Sequence, residues 1–250
     1  MGLGWDNAGY IAAMLRELLL RISDAIPSQC AVCHRWPAQP VCEACIERFA
    51  QPVPRCRSCA APVVAGVAHC GACLVSPPPW DACVAAVAYE FPWSGLIVEF
   101  KFRDRPGWAA SFATLMRSAP WVEPALDRAD LVLPMPLARA RLTERGFNQA
   151  LELARHLAPG KVAPSLLLRG RATSAQSTLG RAERLRNVRG AFLVDPLQAA
   201  RLARCSVVLL DDVMTSGASM LEASLALRAV GVGQITAMVL ARADLHDADH

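Results

Sequence analysis

The sequence predicts an α/β protein whose mainly parallel sheet is preceded by a small cysteine-rich module. Three observations predict this class. Short apolar runs alternate with helical patterns after residue 80, eight of the ten cysteines lie before residue 74, and a proline-rich stretch at 75–80 separates the two regions. The hydrophobic fraction of 54% and the charged fraction of 19% are ordinary for a globular protein with a sizeable core.

We expect four parts along the chain. From the N-terminus these are an amphipathic helix (1–26), the cysteine-rich module (27–76), the α/β domain (80–244) and a flexible tail (245–250). The helix would end before Pro27. Asp6, Arg16 and Glu17 interrupt the early apolar residues, so we expect no secretory signal, and the other apolar runs are too short to span a bilayer. The expected location is the cytoplasm.

Eight cysteines form four Cys-x-x-Cys pairs, which are separated by eight, ten and ten residues: Cys30/Cys33, Cys42/Cys45, Cys56/Cys59 and Cys70/Cys73. One such pair directs two thiolates at a metal ion, and two pairs complete a tetrahedral shell of four sulfurs. Zinc is the metal that this ligand set favours. We therefore expect one or two structural Zn²⁺ ions, with consecutive pairs sharing a metal. His34 and His69 are alternative ligands.

Three alternative roles for the cysteines compete with zinc binding. A disulfide framework would require export, for which there is no sign in the sequence. The stretch from Cys30 to His34 matches a c-type haem attachment motif, but this leaves the other three pairs unexplained. A redox dithiol is expected in a strand–turn–helix context, which surrounds none of the pairs.

The body of the chain alternates between strand and helix patterns, which is typical of a parallel sheet covered by helices. The predicted strands are 82–89, 131–133, 165–168, 191–194, 207–210 and 235–240, and the predicted helices are 93–103, 108–116, 148–157 and 217–230. Ligands bind such sheets beyond the carboxyl ends of the strands. The chemistry is therefore expected in the loops at that edge.

One stretch, residues 207–219, carries the clearest chemical signal. Four apolar residues are followed by the acid pair Asp211 and Asp212 and then by a Thr-Ser-Gly loop that opens a helix. Carboxylates are strong acceptors for vicinal sugar hydroxyls, and amides at a helix N-terminus bind phosphate. The same residue types are also common in turns and helix caps, so either half alone would be weak.

Positive charge is concentrated between Arg139 and Arg189. This segment has ten arginines and one lysine against three glutamates, a net charge of +8, whereas the whole chain has +4. Such a segment favours an anionic partner, either a phosphorylated small ligand or nucleic acid. A solvated basic surface is the alternative.

The stretch at 207–219 resembles the PRPP (5-phosphoribosyl-1-diphosphate) motif of type I phosphoribosyltransferases, with serine for threonine at two positions. Over roughly 27–241 the chain resembles the ComF family (similar proteins include GntX), which joins a double zinc ribbon to a phosphoribosyltransferase-like domain. The matching features are the cysteine pairs, Pro77-Pro78-Pro79-Trp80, Lys101-Phe102, Pro134-Met135-Pro136-Leu137, Arg145-Gly146-Phe147-Asn148-Gln149, and the series Gln176, Arg184, Asn187 and Phe192.

The resemblance implies a type I phosphoribosyltransferase fold and roles for individual residues. Asp211 and Asp212 would bind the ribose hydroxyls, and the 5-phosphate would lie against the loop that follows. Mg²⁺ would accompany PRPP, and residues 173–185, with Arg184, would form a lid over it during catalysis. The full set implied for PRPP binding is Lys101, Pro136, Leu137, Arg145, Asp211, Asp212, Val213, Met214, Thr215, Ser216, Gly217, Ala218 and Ser219; Arg103, Asn148 and Gln149 are further implied contacts.

The resemblance also implies a function: transfer of a phosphoribosyl group to an unidentified acceptor, and participation in DNA uptake during natural transformation. Single-stranded DNA and DNA-uptake proteins would then be partners. Two alternatives use the same fold without turnover, a DNA-binding competence protein and a PRPP-sensing regulator. The aromatic fraction of only 6% argues against a binding platform that relies on base stacking.

Overall fold

The computed structural model describes residues 28–102, 105–170 and 189–243. Several sequence predictions lie outside these residues. They are the N-terminal helix, Arg103, the lid segment 173–185 with Arg184, the motif residues Gln176 and Asn187, and the C-terminal tail. The chain divides into two compact units between Arg48 and Phe49. The first unit contains Cys30 to Cys45, and the second contains the other two cysteine pairs together with the α/β body.

The secondary structure follows the predicted alternation. In chain order the elements are α1 (Glu43–Phe49), α2 (Gly71–Val75), β1 (Ala82–Ala88), α3 (Trp93–Phe102), α4 (Trp108–Ser118), α5 (Val122–Arg128), β2 (Leu131–Pro134), α6 (Arg139–Arg145), α7 (Gln149–Leu157), β3 (Leu167–Arg169), β4 (Phe192–Val194), a 3₁₀ turn (Ala199–Leu202), β5 (Ser206–Met214), α8 (Ala218–Ala229) and β6 (Gln234–Arg242). Among the described helices, none is long and apolar enough to cross a membrane.

Four strands form a parallel sheet in the order β1-β6-β5-β2, which confirms the predicted mixed α/β class. The two central strands are almost completely buried: Val207 to Leu210 on β5 and Ile235 on β6 are 0–2% exposed. Continuous apolar runs are expected for strands covered on both faces.

The predicted end of β5 is wrong. The strand runs through both aspartates to Met214 because β6 is also longer than predicted and continues to pair with it, Asp211 with Val239 and Met214 with Arg242. The strands predicted at 165–168 and 191–194 do not join the parallel sheet. They form β3 and β4, a separate antiparallel pair in which Leu168 faces Leu193.

Four short helices were not predicted: α1 and α2 in the cysteine-rich module, and α5 and α6 in the α/β body. Each has seven residues or fewer, too few apolar positions to show a helical period. Helix α6 ends at Gly146, whose φ of 74° is the left-handed conformation that favours glycine. Helix α7 then begins at Asn148, whose side chain accepts a hydrogen bond from the amide of Leu151 at 3.2 Å.

Candidate functional site

The structure brings the eight paired cysteines together as two groups of four, and consecutive pairs share a group as predicted. The first cluster is Cys30, Cys33, Cys42 and Cys45, and the second cluster is Cys56, Cys59, Cys70 and Cys73. In the described part of the chain, neither His34 nor His69 belongs to a cluster. The His69 ring nitrogen Nδ1 instead lies 2.9 Å from the hydroxyl of Ser58.

Both clusters can hold zinc. The Sγ atoms of Cys30 and Cys45 are 3.9 Å apart, those of Cys33 and Cys42 are 3.6 Å apart, and those of Cys59 and Cys70 are 3.7 Å apart. A tetrahedron with zinc–sulfur bonds of about 2.3 Å has edges of about 3.8 Å. All ten cysteines are free of disulfides, so the thiol chemistry also fits.

Backbone hydrogen bonds stabilise the thiolate form of one cysteine in each cluster. The amide of Cys42 donates to Cys30 Sγ at 3.4 Å, and the amide of Cys70 donates to Cys56 Sγ at 3.3 Å. Burial alone would raise the pKa of Cys30 and Cys56, but the backbone donors outweigh it and lower each pKa to about 6. The thiolate, which is the form that binds metal, is therefore favoured at these positions.

A second candidate site lies at the carboxyl ends of β2 and β5, where a cavity of about 230 Å³ opens. The predicted residues that line it are Lys101, Pro136, Leu137, Arg145, Asp211, Asp212, Val213, Thr215 and Ser219, together with Asn148 and Gln149. An adjoining cavity of about 50 Å³ shares part of this wall and adds Met214, Ser216, Gly217 and Ala218. The predicted residues in the described part of the chain are thus brought together around one opening.

One residue of the acid pair, Asp212, forms an ion pair with Lys101. Lys101 reaches from the last turn of α3, and its Nζ lies 3.0 Å from an oxygen of Asp212, with side-chain exposures of 17% and 9%. Asp211 accepts a hydrogen bond from the amide of Asp212 at 2.9 Å. Burial, and then the neighbouring charge of Asp212, raise the pKa of Asp211 to about 7, although Lys101 acts in the opposite direction.

Asn148 and Arg145 hold the opposite wall of the cavity. The Asn148 side chain donates to the carbonyl of Met135 at 3.0 Å, which ties the start of α7 to the loop after β2. Arg145 donates to the side-chain oxygen of Gln149 at 3.0 Å, and its guanidinium lies 4.8 Å from the ring centre of Phe102. Two of the predicted cavity residues are therefore fixed in place by hydrogen bonds.

The residues after β5 form an open, hydroxyl-rich turn into α8. Gly217 is the N-cap of α8 and has a φ of 76°, a conformation that is strained for residues with a Cβ. A glycine N-cap has no side chain of its own to cap the amides of the first turn. The Ser216 hydroxyl accepts from the Ala218 amide at 3.4 Å. This turn has the chemistry of an anion site.

Sequence reasoning missed several residues that line the larger cavity, namely Tyr89, Arg141, Ala150 and Arg169. Tyr89 directly follows β1, and Arg169 is the last residue of β3. Their positions at the carboxyl ends of strands were the signal that could have found them. Burial lowers the pKa of Arg145 and Arg169, but guanidinium groups remain charged at neutral pH. The cavity therefore combines several cations with two carboxylates.

The raised pKa of Asp211 predicts a pH dependence of folding. The native carboxyl holds its proton more tightly than the unfolded chain does, so its contribution to stability is fully present below the usual aspartate pKa. That contribution is lost as the pH rises through about 7. Between about pH 4 and 7 the slope approaches about −1.4 kcal/mol per pH unit, and above pH 7 it falls towards zero. Urea unfolding of Asp211→Asn should lack this decline, and an unchanged slope would contradict the assignment.

Removal of the Lys101 ammonium is expected to destabilise the protein. In Lys101→Met the nearly buried Asp212 carboxylate loses its counter-ion, at a cost of about 3 kcal/mol. The matched control is Arg155→Met, which breaks the exposed pair with Glu152 and should cost less than about 0.5 kcal/mol. Equal losses in the two variants, measured by urea unfolding, would argue against a buried pair.

Most of the chain is similar to one group of known proteins. No family model matches the chain. It is 31% identical to the DNA utilization protein YhgH of Salmonella typhimurium over 230 residues, which cover 87% of this chain and 98% of that protein. It is 32% identical over 211 residues to competence protein F of Haemophilus influenzae, covering 81% and 90% of the two chains. Identity to YhgH of Escherichia coli K12 is 28% over 235 residues. Since the first two matches span 81–87% of this chain and 90–98% of the relatives, the chain belongs to the ComF family, that of competence protein F and YhgH.

Proposed function

We propose that this protein binds PRPP in the cavity at the end of β5 and transfers its phosphoribosyl group to an acceptor during the handling of DNA. One observation carries the proposal. The acid pair and the hydroxyl-rich turn, which follow each other on β5 and α8, open onto the same space as the cations from α3, α6 and β3. A sugar bearing phosphates at both ends requires this combination of donors and acceptors.

The ribose and its 5-phosphate would be bound by neighbouring parts of one segment. Asp211 and Asp212 offer carboxylate oxygens to the ribose hydroxyls. The amides of the first turn of α8 and the hydroxyls of Thr215, Ser216 and Ser219 would then surround the 5-phosphate. The two functions are separated by only a few residues, as the compact size of a ribose 5-phosphate requires.

The diphosphate would lie toward the basic wall of the cavity. Lys101, Arg141, Arg145 and Arg169 all line this space, and guanidinium groups bind phosphate oxygens through paired hydrogen bonds. Four cations against two carboxylates leave the cavity with excess positive charge for a strongly anionic ligand.

The acid pair also fits Mg²⁺, which prefers carboxylate and phosphate oxygens. When bound with PRPP, the ion would neutralise charge on the diphosphate as it leaves. The residues of the chain would orient the sugar and bind both anionic groups. In the transfer itself the C1–O bond breaks, diphosphate leaves with the electron pair, and an acceptor nitrogen bonds to C1 and then loses its proton. The lid predicted at 173–185 would exclude water.

The proposal is tested by measuring how much PRPP stabilises the intact, zinc-loaded protein against unfolding. PRPP with Mg²⁺ at 100 times its Kd should stabilise the fold by about 2.7 kcal/mol, which scanning fluorimetry records as a higher Tm. Ribose 5-phosphate should give a smaller shift, because it lacks the diphosphate. Release of diphosphate on addition of nitrogen acceptors tests turnover. No Tm shift with PRPP would refute the proposal, whereas binding without diphosphate release would favour a PRPP sensor.

Binding of single-stranded DNA is the second candidate function. It is favoured by the names of the relatives, a DNA utilization protein and a competence protein, and by exposed cations such as Arg139, Arg155 and Arg189 outside the cavity. Fluorescence anisotropy with a labelled oligothymidylate should show affinity that falls steeply with salt, by about 0.7 log units per tenfold change for each phosphate contacted. A flat salt dependence would contradict it, and competition by PRPP would place the DNA in the cavity.

A further inference from the structure

In the turn from Cys56 to Cys59, which carries two thiols of the second cluster, three successive carbonyls accept hydrogen bonds from the α/β body. The amide of Cys83 donates to the carbonyl of Arg57 at 2.7 Å, the indole nitrogen of Trp80 donates to that of Ser58 at 2.5 Å, and Arg242 Nε donates to that of Cys59 at 2.8 Å. Cys59 is itself a member of the cluster. The turn that carries two of the four thiols is therefore bonded residue by residue to strand β1, to the segment before it and to the end of β6.

Arg242 is the residue that connects this turn to the candidate phosphate site. It is only 4% exposed, and its described hydrogen bonds all go to backbone carbonyls. While its Nε bonds to Cys59, its NH1 group bonds to Met214 at 2.9 Å and to Thr215 at 2.6 Å. A single planar guanidinium thus joins a cysteine of the cluster to the two residues that lead into the turn before α8. Because the guanidinium is rigid, it fixes both partners relative to each other.

Trp80 provides a second, independent contact between the same two regions. Its side chain is buried and bonds to Ser58 through the indole nitrogen. The other end of the ring lies against Gly217: a Cβ placed there would be 3.7 Å from the ring. The N-cap of α8 therefore packs on a ring whose nitrogen is held by the second cluster.

We infer that Arg242 is a positioning residue through which zinc at the second cluster and phosphate at the turn before α8 support each other's binding. The identity of the phosphate ligand rests on the proposed function, whereas the link itself rests on the hydrogen bonds of Arg242 and Trp80. A coupling of this kind is reciprocal. Zinc should strengthen PRPP binding, and PRPP should strengthen zinc binding at the second cluster by the same factor, fivefold or more, which is seen as slower loss of that zinc.

The experiment follows zinc release from the full chain to a colorimetric chelator, with and without PRPP and Mg²⁺. Cysteine alkylation followed by mass spectrometry assigns each released zinc to the peptide of Cys33 or of Cys73. In the wild type, PRPP is expected to slow release from the second cluster and to leave the first unchanged. Arg242→Met should remove the effect, and Arg242→Lys should restore part of it because an ammonium can still donate to one or two of the carbonyls.

Arg228→Met is the matched control. Arg228 also bonds to backbone carbonyls, those of Pro79, Val232 and Gly233, and to the Asp81 carboxylate, but its described hydrogen bonds reach neither the cluster nor the turn. It should keep the full effect of PRPP on zinc release. If Arg242→Met does not fold, Trp80→Phe keeps a ring beside Gly217 but loses the hydrogen bond to Ser58, and it should weaken the effect.

The possible outcomes separate this inference from the proposed function. If PRPP raises the Tm of the wild type but slows the release of neither zinc, the coupling is wrong and PRPP binding stands. If PRPP has no effect on the Tm, the proposed function fails, and hydrogen exchange of residues 215–219 tests the link without ligand. Exchange there should rise when the second cluster loses zinc, and unchanged exchange would overturn the inference.

Discussion

Serine in place of Cys73 is expected to reduce the zinc content of the protein from two ions to one and to destabilise the α/β unit by more than about 3 kcal/mol. Structural zinc sites contribute roughly 10–16 kcal/mol to folding, and a hydroxyl cannot replace a thiolate ligand. The loss should reach the body of the protein because the turn at Arg57 to Cys59 accepts hydrogen bonds from Trp80 and Arg242. Metal analysis and urea unfolding measure the two effects.

Two further variants control for this change. Cys45→Ser should also remove one zinc, but from the first cluster, which belongs to the other compact unit, so the α/β unit should lose less stability. Cys205→Ser lies outside both clusters, and its hydroxyl can donate to the carbonyl of Arg201 as the thiol does. It should retain two zinc ions and change stability by less than about 0.5 kcal/mol. A Cys73→Ser variant that keeps two zinc ions would refute the assignment of the second cluster.

The double variant Asp211→Asn with Asp212→Asn is expected to lose the stabilisation by PRPP. Amides are weaker acceptors for hydroxyls than carboxylates, and they do not provide the charge that holds Mg²⁺. At a PRPP concentration that stabilises the wild type by about 2.7 kcal/mol, the variant should gain less than about 0.5 kcal/mol. Titration calorimetry gives the corresponding loss in affinity.

The unliganded stability of the double variant must be measured beside its binding. Asp212→Asn also removes the partner of Lys101, so a lower Tm without ligand is expected. Asp127→Asn, at an exposed aspartate that lines neither cavity, should keep both its Tm and its response to PRPP. A double variant that still responds fully to PRPP would show that the acid pair does not bind the ribose.

The clusters could be predicted from the sequence because their chemistry is local. Two thiolates three residues apart already face one metal, and short loops decide which pairs combine, as Cys30/Cys33 with Cys42/Cys45 shows. The parallel sheet was also predictable, since the apolar runs at Val207 and Ile235 are long enough to indicate buried strands.

The structural features that the sequence did not reveal depend on contacts between residues that are far apart in the chain. The extension of β5 past Asp211 is set by its pairing with β6, and no local pattern encodes where a neighbouring strand stops. Arg242 ends an apolar strand and looks from sequence like a solvated strand terminus. Its acceptors lie 28 residues away at Met214 and 183 residues away at Cys59.

The three bonded carbonyls at Arg57, Ser58 and Cys59 also determine where the chain can be divided. The proline stretch at 77–79 looks like a natural cleavage point, but a fragment that begins there would leave the indole of Trp80 and the buried charge of Arg242 without their acceptors in the turn. A fragment that begins at Phe49 keeps all three bonds. A minimal fragment of the α/β body should therefore include the second cluster with its zinc. Removal of metal during purification would then destabilise this fragment, because the turn from Arg57 to Cys59 carries the acceptors of Trp80 and Arg242.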